Sequence, residues 1–312
     1  MQPTSRGVAI VAAAVIVTGL AACSDNAVDR PTVPSVPVSA QPSPLPSAIE
    51  SSPSALAASP SVAFASPSVA PSSARTTAPA APPANPAKVV LGHPYRPEID
   101  AAGFTTDITN RYLPLVPGTV WTYKGAGERV VTAVTSDTKW IMGVETVIVR
   151  DRGFENGSLT EDTRDYFAQD AAGNVWYFGE DTAECDNGQA TSTGGAWIAG
   201  VDGAQPGVVM LAAPSVGQFY RQEYLRGEAE DVARVKKVDA TTTTGSKTYH
   251  DTVVTEDFTA LEPGNVEQKT YVPDLGLVES RYVKGGSGAE VLVDVKTGVP
   301  AGSMASGKLC RT

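Results

Sequence analysis

The chain has 312 residues, of which 42% are hydrophobic, and it carries a formal net charge of −10 at pH 7. Such an acidic chain is a poor nucleic-acid binder, because affinity for phosphate comes from clustered Lys and Arg. We therefore expect no nucleic-acid partner.

Residues 1–22 predict an export signal. Arg6 precedes the uncharged apolar run VAIVAAAVIVTGL, which is too short for a membrane span and typical of a signal peptide. The run ends in Leu20-Ala21-Ala22-Cys23, which resembles the bacterial lipobox. That resemblance implies cleavage before Cys23 and attachment of a diacylglycerol and fatty acids such as palmitate to its thiol. We expect this lipid to anchor the protein to the cell membrane on the extracytoplasmic side, as acyl chains do without a spanning helix.

Residues 23–90 predict a disordered tether behind that anchor. Positions 31–90 hold 14 of the 24 prolines, together with many Ser and Ala, and only three charged side chains, Glu50, Arg75 and Lys88. Such a composition cannot bury a core. A stalk that lifts the domain off the membrane and an indifferent spacer both fit this stretch.

Residues 91–312 predict one β-rich extracytoplasmic domain. Alternating β-branched and aromatic runs, such as TVWTYKG, VETVIVRDR and EVLVDVKT, are separated by turn signals such as ENGS and EPGN. An internal repeat aligns TEDTRDYFAQDAAGNVWYFGE with NVEQKTYVPDLGLVESRYVK and superposes Tyr166 on Tyr271. The predicted fold is mainly β: an antiparallel meander with two similar halves that forms a curved sheet or half-barrel.

Three segments resemble a family of uncharacterised bacterial lipoproteins and exported proteins. They are NRYLPLVPGTVWTYKG (110–125), DYFAQDAAGNVWYFGE (165–180) and YRQEYLRGEAED (220–231). The resemblance implies no activity. The meander and the YVPDLGLVESRY end also resemble LolA-like half-barrels, which hold lipid against a curved sheet, and this second resemblance implies a lipid or small apolar ligand.

Two cysteines remain beside Cys23. An exported compartment permits disulfides, and an even pair favours a bond between Cys185 and Cys310. Two free thiols are the alternative.

The aromatic hairpin at 165–180 raises the question of a ligand wall. Strand alternation places Trp176 and Phe178 on one face and Tyr177 with Val175 on the other. Core packing and cross-strand pairing explain such rings, and a ligand-binding wall built from Tyr166, Trp176, Tyr177 and Phe178 is the second interpretation.

Acidic residues supply the remaining candidates. The stretch GEDTAECDNG, interpreted as a loop, offers four carboxylates for calcium, Glu180, Asp181, Glu184 and Asp186, although solvated acidic side chains are the simpler explanation. No zinc-protease, phosphate-loop, dinucleotide or serine-elbow motif occurs in the sequence. We predict no cofactor and no catalytic residue.

The sequence thus predicts a lipid-anchored envelope module that binds a ligand or has a structural role. A small apolar ligand or lipid held on its curved sheet is the most specific form of this prediction. The alternative is an envelope hydrolase that acts on polysaccharide or peptide through paired carboxylates around Glu180 and Glu228. The sequence leaves a protein partner unknown.

Cys23→Ala should release the chain from membranes, because the lipid on this residue is the expected anchor. Fractionation of cells that express the full-length chain measures this, with Cys185→Ala as the matched control that stays membrane-bound. Retention of the Cys23→Ala chain in the membrane fraction after signal removal would contradict the anchor.

Overall fold

A computed structural model describes residues 95–125, 127–300 and 307–311. The predicted signal peptide, Cys23 and the tether at 23–90 lie outside these ranges. No helix among the described residues is long and apolar enough to cross a membrane.

The described chain contains sixteen strands and one short 3-10 helix, Ala101–Gly103. The first eight strands are β1 (Phe104–Thr105), β2 (Val120–Lys124), β3 (Glu128–Ile141), β4 (Val144–Glu155), β5 (Ser158–Asp170), β6 (Val175–Asp186), β7 (Gln189–Ser192) and β8 (Trp197–Ile198). The others are β9 (Gln205–Met210), β10 (Phe219–Arg221), β11 (Glu223–Tyr224), β12 (Asp231–Thr244), β13 (Lys247–Thr259), β14 (Val266–Val272), β15 (Gly276–Lys284) and β16 (Ala289–Lys296).

Two antiparallel meanders of five consecutive strands make up most of the sheet. The first runs from β2 to β6, the second runs from β12 to β16, and β16 pairs with β2 to join them. Alternating apolar residues and tight turns produce this arrangement, because each hairpin places the next strand beside the last. The predicted antiparallel β fold with two similar halves is confirmed.

A short segment nearly closes the sheet into a barrel. Phe219–Arg221 pairs with β12, and Glu223–Tyr224 pairs with β9 on the opposite edge of the sheet. Between them, the Gln222 amide donates to the Asp231 carbonyl over 2.8 Å. The sheet therefore curves further than a half-barrel, as long twisted strands allow.

The two halves match in their hairpins but not in their side chains. The Tyr166 hydroxyl donates to Asp181 on the outer face, whereas Tyr271 faces inward opposite Val253 and Leu277. A difference of one residue in register turns every side chain of a strand to the other face. The repeat therefore describes strand order and does not superpose Tyr166 on Tyr271.

A β-bulge in β6 sets which side chains point inward. Phe167 pairs with Tyr177 and Asp165 pairs with Glu180, so three steps along β6 oppose two along β5. Gly179 accommodates the bulge at φ +126, and a Cβ there would lie 2.3 Å from the Trp197 carbonyl oxygen. Consequently Tyr177 and Glu180 both face the interior.

The aromatic hairpin is covered on both faces. Inside, the Tyr177 ring stacks on Phe167 with centroids 5.0 Å apart and meets the edge of Trp197 at 5.2 Å. Outside, Trp176 and Phe178 contact the Phe104 ring at 6.0 and 5.5 Å. The N-terminal segment thus provides the outer cover, and the rings are core.

The C-terminal segment is fastened to the outer face. Cys185 and Cys310 form a disulfide, and the Cys310 amide donates to Asp162 over 2.8 Å. Asp162 also forms a buried ion pair with Arg150 at 2.6 Å. The bond closes a loop of 125 residues, which restricts the unfolded chain strongly.

Trp176→Ala should lower the free energy of unfolding by about 3–5 kcal/mol, because it leaves a void beside Phe104 and Phe178. The matched control is Trp140→Ala, since Trp140 is 68% exposed whereas Trp176 is 7% exposed. Urea unfolding of both variants measures the effect. Equal, small losses in the two variants would show that Trp176 is not core.

Candidate functional site

An apolar cavity lies between the inner face of the sheet and the segment that precedes β2. Its empty volume is about 390 Å³, part of which is open to solvent. The side chains around it come from that segment and from β2, β3, β9, β14 and β15, and are Leu113, Leu115, Trp121, Tyr123, Thr132, Val209, Tyr271 and Leu277. Most of its lining side chains are aliphatic or aromatic.

The segment 110–118 is held over this cavity by its own polar groups. The Asn110 side-chain amide donates to the Gly173 and Leu211 carbonyls at 2.8 and 3.2 Å. The Arg111 carbonyl accepts from the Asp274 amide at 2.7 Å. These bonds tie the motif NRYLPLVPG to both meanders and direct Leu113 and Leu115 inward.

A second feature of the interior is a group of carboxyls beside the cavity. The strand registers place them on the inner face of both meanders and of the closing segment: Asp151, Glu161, Asp165, Glu180, Glu223, Asp231, Asp257, Glu267 and Glu290. We call this set the acidic interior. Asp165, Glu180, Glu223 and Asp231 come from the segments DYFAQDAAGNVWYFGE and YRQEYLRGEAED.

Lys269 lies buried within the acidic interior. Its Nζ lies 3.1 Å from Asp257 Oδ2 and 3.9 Å from Glu267 Oε2. Burial lowers the pKa of Lys269, but the charges of Asp257 and Glu267 outweigh it and raise the pKa above its ordinary value. Lys269 therefore stays charged and neutralises its neighbours on β13 and β14.

The carboxyls on β4, β5 and β6 have hydroxyl partners and acidic neighbours. The Tyr177 hydroxyl donates to Asp165 at 2.8 Å, and the Thr132 hydroxyl donates to Asp151 at 3.2 Å. Two buried oxygens, Asp151 Oδ1 and Glu180 Oε2, have no hydrogen-bond partner among the described residues. An ionised carboxylate in that position would lose its hydration without compensation.

Burial makes these groups weak acids. Desolvation, followed by the charges of Asp165 and Glu223, raises the pKa of Glu180 well above its ordinary range. Desolvation likewise raises the pKa of Asp165 to about 7, against the opposing hydrogen bond from Tyr177. Because the two carboxyls face each other across β5 and β6, ionisation of one disfavours ionisation of the other.

The cavity and the acidic interior meet at Thr132. Its side chain lines the cavity, and its hydroxyl donates to Asp151 on the neighbouring strand. Tyr123 also borders both, since desolvation and then the charge of Asp151 raise its pKa. An apolar space and a set of carboxyls thus share one wall.

The residues predicted as a ligand wall lie elsewhere. Tyr166, Trp176, Tyr177 and Phe178 are all buried, and none belongs to the lining of the cavity just described. The Tyr177 hydroxyl donates to Asp165, which belongs to the acidic interior. The Tyr166 hydroxyl donates instead to Asp181 on the outer face of the sheet.

The acidic stretch 179–188 is not the predicted loop. It forms the end of β6 and the turn after it, because its residues pair with β5 and β7. Glu180 faces inward and Asp181 faces outward to Lys139 at 3.2 Å, so the four carboxylates proposed for calcium divide between the faces. Among the described residues, no group of three or more His, Cys, Asp or Glu is placed to hold a metal ion.

Sequence reasoning did not identify the inward carboxyls outside that stretch. Asp151, Asp165 and Asp231 lie in alternating strands that resemble solvated ones. The inward orientation of these side chains could have been predicted from the apolar residues two positions away, such as Val149 and Ala233, which lie on the same face of the strand.

The comparisons with known proteins do not identify the chain. No protein-family model matches it, and no curated protein matches it. Among solved structures, the chain is similar to a candidate lipoprotein from Parabacteroides distasonis ATCC 8503, with 12% identity and a TM-score of 0.33 over 60% of this chain and 99% of that one. A similarity of this size does not establish a common fold.

The acidic interior should make the domain less stable as pH rises. The folded pKa values of Glu161, Asp165 and Asp231 are raised to about 7 and that of Glu290 to about 8, whereas unfolded carboxyls titrate near 4. The folded state therefore binds more protons between these limits, so the free energy of unfolding falls from pH 5 to pH 8.

Glu180→Gln mimics the protonated carboxyl and should remove part of this loss. We expect it to be at least about 1 kcal/mol more stable than the parent at pH 8 and similar to it at pH 5. Glu228→Gln, at an exposed position in the Leu225–Ala229 turn, is the control. Stability that rises from pH 5 to pH 8 in the parent would contradict the assignment.

Proposed function

We propose that the domain is a cell-envelope binding module that takes a small apolar ligand into its inner cavity. The apolar lining of that cavity is the observation that carries the proposal. Binding pockets for small molecules are concave, mostly apolar and bounded by a few fixed polar groups, and the space behind Leu113 and Leu115 has this character.

The aromatic side chains of the lining support an apolar ligand. The Trp121 indole nitrogen donates to the Leu275 carbonyl at 2.8 Å, and the Tyr123 hydroxyl donates to the Leu277 carbonyl at 3.1 Å. Because these polar atoms already have backbone partners, both rings offer mainly carbon to the cavity. A slender alkyl chain would gain about 0.8 kcal/mol for each methylene that it buries there.

We propose that the module is held at the membrane by a lipid on Cys23, on the extracytoplasmic side. The LAAC sequence after an apolar run supports this, and so does the Cys185–Cys310 disulfide, because structural disulfides persist in oxidising compartments. The uncharacterised lipoprotein and exported-protein family, to which three segments bear a resemblance, fits the same location.

Burial of the facing carboxyls favours binding over hydrolysis. Asp165 and Glu180 oppose each other across two strands, as a pair of catalytic carboxyls could. Both lie buried inside the sheet, where a polysaccharide or peptide chain is too bulky to reach the two carboxyls together. Glu228, the other carboxylate of the hydrolase alternative, lies exposed in a turn.

Calorimetric titration of the purified protein with 1-decanol, a neutral slender chain, tests the proposal. We expect saturable binding that is at least about tenfold weaker in Val209→Phe, because the added ring occupies the cavity; tenfold corresponds to about 1.4 kcal/mol. Val283→Phe places the same ring at an exposed site and should bind decanol like the parent.

Leu277→Phe fills the same cavity from another strand. It is a second test of the cavity in case Val209→Phe does not fold. Binding to the parent that neither filling variant weakens would place the ligand elsewhere. No binding to the parent at all would refute the proposed function.

A further inference from the structure

The wall shared by the cavity and the acidic interior indicates the chemical class of the ligand. We propose that the ligand is an amphiphilic amine, whose apolar chain fills the cavity and whose ammonium group binds the carboxylate of Asp151. This inference rests on the proposed function, and it adds a head group and the residue that recognises it.

Asp151 lies behind the cavity wall, on the strand next to a lining residue. Thr132, which lines the cavity, is opposite Asp151 in the β3–β4 ladder and donates its hydroxyl to Asp151 Oδ2 at 3.2 Å. Asp151 is only 3% exposed, and its other oxygen, Oδ1, has no hydrogen-bond partner among the described residues. A buried acceptor without a donor is costly, and an ammonium group would supply that donor.

The charge around Asp151 favours a cation. The ionisable groups that face it from the neighbouring strands are acidic or phenolic: Glu161 and Asp165 on β5, Glu290 on β16 and Tyr123 on β2. Lys269, the lysine of the interior, bonds Asp257 and Glu267 instead. A fatty acid would add another carboxyl to this acidic wall, whereas an ammonium group would favour the ionised form of a carboxyl that is already there.

The lining also suits a cation on its way to Asp151. Trp121, Tyr123 and Tyr271 present ring surfaces to the cavity, and the faces of aromatic rings attract ammonium groups. A primary ammonium carries three donors, enough for Asp151 Oδ1 and for further oxygens beside it. A bare metal ion would need several convergent oxygens, which the described acidic residues do not provide.

Binding should displace a proton. Burial, and then the charge of Asp165, raises the pKa of Asp151 well above its ordinary range, which favours the neutral acid in the empty site. When the ammonium enters, the Asp151 carboxyl releases its proton to solvent and the resulting carboxylate pairs with the ammonium. The charge within the site is unchanged, and the affinity should rise about tenfold per pH unit wherever one proton is released.

Three ligands with the same chain separate the head group from the cavity. Decylamine, 1-decanol and sodium decanoate are titrated calorimetrically into the purified protein at pH 6 and pH 7, in buffers of different ionisation enthalpy to count protons. We expect decylamine to bind at least about tenfold more tightly than decanol at pH 7, with release of about one proton, and decanoate to bind most weakly.

Asp151→Asn keeps the shape of the neutral acid but cannot form the ion pair. It should retain decanol binding, lose the preference for decylamine and release no proton, whereas Glu228→Gln should behave like the parent. Equal binding of the three ligands to the parent would overturn the amine inference while leaving the proposed function intact. Failure of all three to bind would refute the proposed function itself.

A preference for decylamine that survives in Asp151→Asn would overturn the assignment to Asp151. Should that variant fail to fold, the comparison of the three ligands and the proton count in the parent still decide the inference. Tighter binding of decylamine without proton release would contradict the displacement step.

Discussion

The structure depends on how carboxyl groups are neutralised when the sheet closes. The two meanders and the closing segment bring acidic side chains into one low-dielectric interior, where Lys269 balances those on β13 and β14. Isolated carboxylates cannot stay ionised there at acceptable cost, so they keep their protons. Folding and proton uptake are therefore linked in this domain.

The same constraint explains the division of the interior into two parts. At one end, Leu113, Leu115 and Leu277 surround an apolar space, and the polar atoms of Trp121 and Tyr123 are bonded to backbone carbonyls. At the other, Asp165, Glu180 and Glu223 depend on hydroxyl and indole donors such as Tyr177 and Trp197. Asp151 lies between them, which is why we assign the proposed head group to this residue.

The sequence predicted the fold better than the site. Alternation along β6 correctly separates Trp176 and Phe178 from Tyr177, because side chains alternate in any strand. It would place Glu180 on the face of Trp176, and only the bulge at Gly179 brings Glu180 inward with Tyr177. A bulge depends on contact with a distant strand, here the Trp197 backbone, and this contact cannot be read from the local sequence.

The closure of the sheet could not be predicted from the sequence either. YRQEY is too short for a typical strand, yet its residues pair with both edges of the sheet. Acidic residues in alternating segments ordinarily face solvent. They face inward here because the apolar partners Val149 and Ala233 share their side of the strand.

The most direct test of this account is the protonation state of Glu180 in the folded protein. Carboxyl carbon chemical shifts measured by NMR across pH 4–8 report it. We predict that the Glu180 carboxyl stays protonated at pH 7, well above the pH of about 4.3 at which an unperturbed glutamate titrates. A Glu180 shift that titrates near that unperturbed value would show that the buried carboxyl is ionised, and would contradict this assignment.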